Sequence, residues 1–209
     1  MLIEANALSP RRLPIFNFTN QALTLDTHSE LRDNHVLILH GGGDISPALY
    51  NKPVAPRGGG YYKPSHRDQQ EWMFIKEAVK QNIPIVGICR GAQMLCAFDG
   101  GELVQHINNH AGHSHTIQEV KTGDVYVTNS CHHQMMLPSK HAEVIAYCEE
   151  DTIGYREDDS KMIVKRVPEV VYFPQLNALG IQGHPEWMGN GNKFVQYCTS
   201  LINSLLLNK

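Results

Sequence analysis

The sequence has no cluster of lysines and arginines, and its formal net charge is only −3 over 209 residues. Nothing in it advertises a phosphate backbone or an anionic membrane as partner, so neither nucleic acid nor membrane is expected. No apolar run approaches the ~20 residues that cross a bilayer, and Met1-Leu2-Ile3-Glu4 lacks the basic and apolar regions of a secretory leader. Paired cysteine spacing is missing as well. Five cysteines, an odd number, fit free thiols in a reducing compartment, and the expected location is cytoplasmic. Repeats and low-complexity tails are absent. The length and the ordinary share of hydrophobic residues predict one domain, residues 1–209, with a core that needs no disulfide staples.

What the chain does contain is a stretch around which the rest is organised, Pro84-Ile85-Val86-Gly87-Ile88-Cys89-Arg90-Gly91-Ala92-Gln93-Met94-Leu95. Four apolar residues, broken only by Gly87, lead into Cys89. After it, Ala92, Met94, Leu95 and Phe98 recur as in a helix. A buried strand turning sharply into a helix crowds the backbone, and glycines two residues either side of the thiol relieve that crowding. This is the thiol version of the G-x-S-x-G nucleophile elbow. Such a turn leaves the N–H of Arg90 facing whatever the sulfur attacks. The competing reading is a small buried cysteine that only packs.

Elsewhere, residues 2–5 and 13–18 read as short strands, and residues 35–40 as a buried strand running into Gly41-Gly42-Gly43-Asp44. A glycine loop at the carboxyl end of a strand sits where open parallel sheets hold ligands. It lacks the Gly-Lys-Ser/Thr of a phosphate loop. Residues 53–64, rich in proline, glycine and tyrosine, read as a surface loop or lid whose Gly58-Gly59-Gly60 run is simply flexible. Ser65 with Asp68 opens a helix carrying Trp72, Ile75 and Val79, ended by Gln81-Asn82. That helix makes a βαβ crossover, so the strands around Leu37 and Val86 are expected to be parallel. Residues 103–107 read as one strand. From 116 to 173 the pattern shortens to alternating segments, as at 125–127, 144–147 and 170–173, which suggests antiparallel strands added to the sheet or forming a flap. Residues 179–183 lead into His184-Pro185-Glu186-Trp187, and an amphipathic helix begins near Asn192.

A cysteine nucleophile needs a base and a group that orients the base. If the strand from Leu179 keeps its period of two, His184 and Glu186 project to one face, so the carboxylate can hold one imidazole nitrogen while the other faces Cys89. Gly87-Ile88-Cys89-Arg90-Gly91-Ala92-Gln93, His40-Gly41-Gly42-Gly43-Asp44, His132-His133-Gln134 and Gln182-Gly183-His184-Pro185-Glu186-Trp187 together resemble the class I glutamine amidotransferase family. Within it, the chain is most similar to the gamma-glutamyl hydrolase branch that includes gamma-glutamyl-gamma-aminobutyrate hydrolase. Arg67-Asp68-x-x-Glu71 and Gly100-Gly101-Glu102-Leu103-Val104-Gln105 also look like that branch.

The resemblance implies a three-layer α/β sandwich with a mostly parallel, flavodoxin-like central sheet and a small antiparallel flap. It implies a triad of Cys89, His184 and Glu186. The oxyanion hole would be the N–H of Gly43 or Gly42 together with that of Arg90. Gln93 and the backbone of His133 and Gln134 would hold the ends of a glutamyl group. The implied substrate is glutamine or a small gamma-glutamyl compound, cleaved through a thioester, with no cofactor and no metal. A synthase partner that receives ammonia is the rival expectation, and a non-catalytic binding protein is the third.

The chain departs from the family pattern in an abbreviated first βα unit, in Cys96 where asparagine is common, and in His106 where the hydrolase branch has an acid. His106, His110, His113 and His115 are dense enough to suggest metal ligands. No cysteine or carboxylate joins them at a ligand spacing, so the expectation is a histidine-rich loop at the mouth of the site. Cys131 lacks the glycine-framed turn of a nucleophile, Cys148 and Cys198 read as packing residues, and Trp187 as either packing or a stacking surface.

Overall fold

A computed structural model of the chain describes residues 36–207, together with the backbone of strands β1 (Leu2–Ala5) and β2 (Asn20–Leu23) before them. The strand expected at residues 13–18, and with it the abbreviated first βα unit, lies outside the described residues. There follow β3 (Val36–Leu39), α1 (His66–Lys80), β4 (Ile85–Ile88), α2 (Arg90–Phe98), β5 (Glu102–Val104), β6 (His106–Ile107), β7 (Ala111–Glu119) and β8 (Val125–Cys131). The chain continues with β9 (Met135–Leu137), β10 (Glu143–Cys148), β11 (Thr152–Tyr155), β12 (Lys161–Val164), β13 (Val167–Phe173), β14 (Ala178–Ile181) and α3 (Lys193–Ile202).

Nine strands form one sheet in the order β2-β1-β3-β4-β14-β13-β10-β7-β8. From β2 to β14 neighbours run parallel, and from β14 onward they run antiparallel. The alternation along β3 explains the layers. Leu37 and Leu39 share a core with Phe74 and Ile75 of α1 and Leu95 of α2, whereas Val36 and Ile38 share the opposite core with Phe194, Cys198 and Ile202 of α3. The result is the expected α/β sandwich of three layers. The antiparallel segments mostly extend the main sheet, and the small sheets are β12-β11-β6 and β5-β9.

Local chemistry sets the helix ends. Ser65 accepts from the Asp68 N–H while the Asp68 carboxylate accepts from the Ser65 N–H, a complete capping box. Asn192 caps α3 by accepting from the Phe194 N–H. The single strand expected over 103–107 is instead two, belonging to different sheets. The break falls at Gln105, whose buried amide donates to the Pro53 carbonyl and accepts from the Ala55 N–H. Residues 53–64 are therefore fastened, and the glycine run in them is not a free tether. Gly59 donates to Asp44, and Ser46 donates to the Tyr62 carbonyl.

Candidate active site

The elbow is built by close approach of backbone. A Cβ on Gly91 would overlap the Leu39 carbonyl, and one on Gly87 would lie 2.5 Å from the Gly91 carbonyl carbon. Gly87 pairs with Gly180 of β14, whose own added Cβ would meet Ala92 at 3.1 Å. These glycines let α2 rest directly on β3, β4 and β14. Cys89, the residue between strand and helix, has φ 51° and ψ −107°. A non-glycine residue at positive φ costs on the order of 1–3 kcal/mol and is held only where its surroundings enforce it. Here the enforcement is visible, because the Cys89 N–H donates to the Ile181 carbonyl at 2.7 Å and the Cys89 carbonyl accepts from the Gln93 N–H.

His184 follows β14, the strand beside β4, and so arrives next to the thiol. Its Nδ1 lies 2.7 Å from Glu186 Oε1. The expected route to this pair was a strand continuing through Glu186. In fact β14 ends at Ile181 and Pro185–Trp187 forms a 3-10 turn, with Pro185 at its first position, where its missing N–H costs nothing. Side chains two apart on that turn meet, so the pairing holds on a different backbone. Asn129 of β8 brackets His184 by accepting from its N–H at 2.7 Å and donating to its carbonyl at 3.0 Å. Trp187 stacks on the imidazole at 3.7 Å with an interplanar angle of 5°. Gly41 completes the enclosure. A Cβ there would sit 3.6 Å from Cys89 Cβ and 3.5 Å from His184 Nε2, so a single methyl would touch the cysteine and the imidazole alike.

Cys89 and His184 are 5% and 3% exposed, which decides the resting state of the thiol. Burial pushes it up to about 12, against the opposing pull of the Arg90 N–H that hydrogen-bonds it. The resting group is thus a protonated thiol. We expect iodoacetamide at pH 8 to alkylate the exposed Cys131 at least about tenfold faster than Cys89, as read by peptide mass mapping. Faster labelling of Cys89 would contradict a buried, protonated resting thiol.

The glycine loop is held by charges that the sequence reading gave no role. Arg67 Nη2 donates to the carbonyls of His40 and Gly41, at 2.9 and 3.1 Å, while its Nε donates to Glu71 at 2.8 Å. Those carbonyls face Arg67, and Gly43 next to them has open space around it. Glu71 also receives Arg90, whose other nitrogen reaches Asp68 at 2.5 Å, all three being buried. An ion network therefore joins α1, the glycine loop and the residue after Cys89.

The other expected site residues gather on the lid side. Asp44 accepts from Gln134 Nε2 at 3.0 Å and from Gly59 N–H at 2.9 Å, and pairs with His133 Nε2 at 2.9 Å. That hydrogen bond holds His133 toward its charged form. Burial first, and the neighbouring His133 second, push His106 toward neutrality, and the two Nδ1 atoms lie 3.2 Å apart. His133 thus faces Asp44 through Nε2 and His106 through Nδ1. Gln93 is buried and donates to Gln182 at 3.3 Å. Of the flagged histidines, His113 is exposed, while His110 and His115 turn inward. Cys96, Cys148 and Cys198 are buried, as expected of packing residues. Arg67 and Asp44 had a signal in the i, i+4 spacing of Arg67 and Glu71 and in the acid that closes the glycine loop. Gln182 stood in the motif before His184 but without a role, and Asn129 had no signal, because its partner comes from a distant segment.

The profile of the Peptidase C26 family matches residues 22–186. The chain belongs to this glutamine amidotransferase-like class I family. Over 120 residues it is 34% identical to YvdE of Lactococcus lactis, a protein named as glutamine amidotransferase-like, covering 48% of this chain and 50% of YvdE. The chain spans about half the length of such curated relatives. It is 24% identical to the carbamoyl phosphate synthase small chain of Thermotoga maritima over 77% of this chain and 34% of that one. A solved glutamine amidotransferase from Thermotoga maritima superposes with a TM-score of 0.60 at 17% identity, covering 99% of this chain and 88% of the other, a likeness of fold. In this Peptidase C26 member no helix among the described residues is long and apolar enough to cross a membrane.

Proposed function

We propose that this chain cleaves the gamma-glutamyl amide bond of glutamine or of a small gamma-glutamyl-amine, through a thioester on Cys89. One observation carries the reading: a cysteine at positive φ on a strand-to-helix elbow, with the His184–Glu186 pair enclosed against it. His184 takes the thiol proton as sulfur bonds to the gamma-carbonyl carbon. The N–H of Arg90, with that of Gly43 or Gly42, stabilises the oxyanion. Collapse of the tetrahedral species breaks the C–N bond, and His184 returns the proton to the leaving amine. Water, deprotonated by His184, then hydrolyses the thioester to glutamate and free thiol. Glu186 keeps the imidazole oriented and stabilises its charged form. Gln93 and the backbone of His133 and Gln134, a turn fastened to Asp44 through both side chains, would hold the ends of a glutamyl group.

The similarity to a carbamoyl phosphate synthase small chain supports a second reading, in which the same site feeds ammonia to a synthase partner. Ammonia release from glutamine, measured against amine release from gamma-glutamyl-amines by the chain alone, separates the two. A free-standing hydrolase turns over at least one class unaided. Turnover of none of them, with or without a synthase, would remove both.

A further inference from the structure

Behind the base, in the antiparallel half of the sheet, four side chains converge that the hydrolytic chemistry does not use. Glu169 of β13 is buried, and its Oε1 lies 3.2 Å from His115 Nε2, 3.5 Å from His132 Nε2 and 3.8 Å from His110 Nε2. All three imidazoles are at least nine-tenths buried. The three Nε2 atoms and both Glu169 oxygens are nevertheless without a hydrogen bond among the described residues, so the close approaches are not aligned donor–acceptor pairs. A buried carboxylate left this way costs several kcal/mol.

The far side of two of the rings says what is missing. His110 Nδ1 faces the Asn108 carbonyl at 3.1 Å, and His132 Nδ1 faces the Gln134 carbonyl at 2.8 Å. A carbonyl only accepts, so each Nδ1 carries the proton. A ring with only that proton directs the Nε2 lone pair inward, onto a carboxylate that is itself only an acceptor. Acceptors converging in a dry interior need a proton or a metal cation between them, and the absence of aligned hydrogen bonds from any Nε2 to Glu169 points to the metal. A carbonyl that accepts from Nδ1, as behind His110 and His132, is also the arrangement that fixes imidazole ligands on a metal. Each Nε2 stands 3.2–3.8 Å from Glu169 Oε1, against about 3.3 Å between the ligand atoms of a tetrahedral ion with bonds of about 2.0–2.1 Å. Cys148 Sγ of β10 lies within 4.8 Å of ligand atoms of His110 and His115, which offers a further donor.

We propose that His110, His115, His132 and Glu169 form a closed, structural site for a divalent transition-metal ion of the zinc class. Imidazole and carboxylate donors suit zinc, and a fully occupied four-ligand set leaves no open position for substrate. Such a site departs from the expectation of a histidine-rich loop that holds no metal. The sequence hid it because two of its ligands, His132 and Glu169, lie outside the dense run, while His113 and His106 in that run do not take part. Its role is to cross-link β7, the end of β8 and β13. Asn129 of β8 holds the His184 backbone, and the Glu169 carbonyl accepts from the Gln182 N–H, so the ion would brace the wall behind the base.

The test uses the full chain, unfolded in urea, stripped by chelator and refolded with one equivalent of Zn²⁺ or Co²⁺. Retention of about one metal per chain through gel filtration, by elemental analysis, is expected, with the intense visible absorption of tetrahedral cobalt. Glu169→Gln and His115→Asn should lower retention at least tenfold, whereas His113→Asn should leave it unchanged. A thiolate-to-cobalt charge-transfer band would place Cys148 among the donors and still support the site. Wild-type chain that refolds equally well without metal and retains none overturns the proposal. So does retention that survives both Glu169→Gln and His115→Asn. Since metal content is read independently of turnover, failure here leaves the amide-hydrolysis reading standing, and the reverse.

Discussion

Cys89→Ala abolishes turnover, with kcat falling by at least about 10⁴-fold and no acyl-enzyme trapped on rapid quenching. Removing a nucleophile leaves only what the oxyanion donors and binding supply, and nucleophile deletions in comparable triads cost up to about 10⁶-fold. The magnitude belongs to chemistry, because the side chain lost is small. The change keeps the elbow's glycines and the hydrogen bonds of the Cys89 backbone to Ile181 and Gln93. A melting temperature within a few degrees of wild type, alongside lost activity, separates a catalytic from a structural effect. Turnover that persists at the wild-type rate would end the thioester mechanism, whatever the position of His184.

Arg90→Met lowers stability by about 3–5 kcal/mol, the usual result of leaving buried charges without their partner. The arginine is among the largest fully buried side chains in the chain, and it reaches both Asp68 and Glu71. After its removal Glu71 keeps Arg67, but Asp68 keeps only its capping role at Ser65. For a chain of this size that loss corresponds to roughly 6–20 °C in Tm, measurable by calorimetry. An Arg90→Met protein melting with wild type would show the network to be energetically neutral. Charge and backbone also separate at this residue. The side chain braces the fold while its N–H faces the sulfur, so a folded Arg90→Met protein at low temperature should retain thioester formation.

The elbow was legible because its requirements are local. Two glycines, an apolar strand and a helical period all lie within a dozen residues, and the backbone of Cys89 follows from them. The capping box at Ser65 and the apolar side of α3 were readable for the same reason. The glycine loop and the His184–Glu186 pair could be placed at the sheet's carboxyl edge from the strands before them. The turn that joins that pair could not, since Pro185 ends the strand period in a way that only neighbouring strands decide. Gln105 splitting β5 from β6 depends on a lid some fifty residues earlier in the chain. Glu169 reads in sequence as one acid in an apolar strand, and its three imidazole neighbours are brought to it only by the pairing of β13, β10, β7 and β8. Long-range register is what a single sequence expresses least.

The Asp44 junction has a consequence for how this site changes. One carboxylate receives the lid at Gly59, the turn at His133 and Gln134, and belongs itself to the loop that carries Gly42 and Gly43. The three loops are therefore a single mechanical part. A substitution that reshapes the lid pulls, through this one side chain, on the backbone of Gly42 and Gly43, the donors of the proposed oxyanion hole. On that proposal, selectivity and rate are coupled, and a lid transplanted from a relative would have to keep a donor for Asp44 where Gly59 now stands.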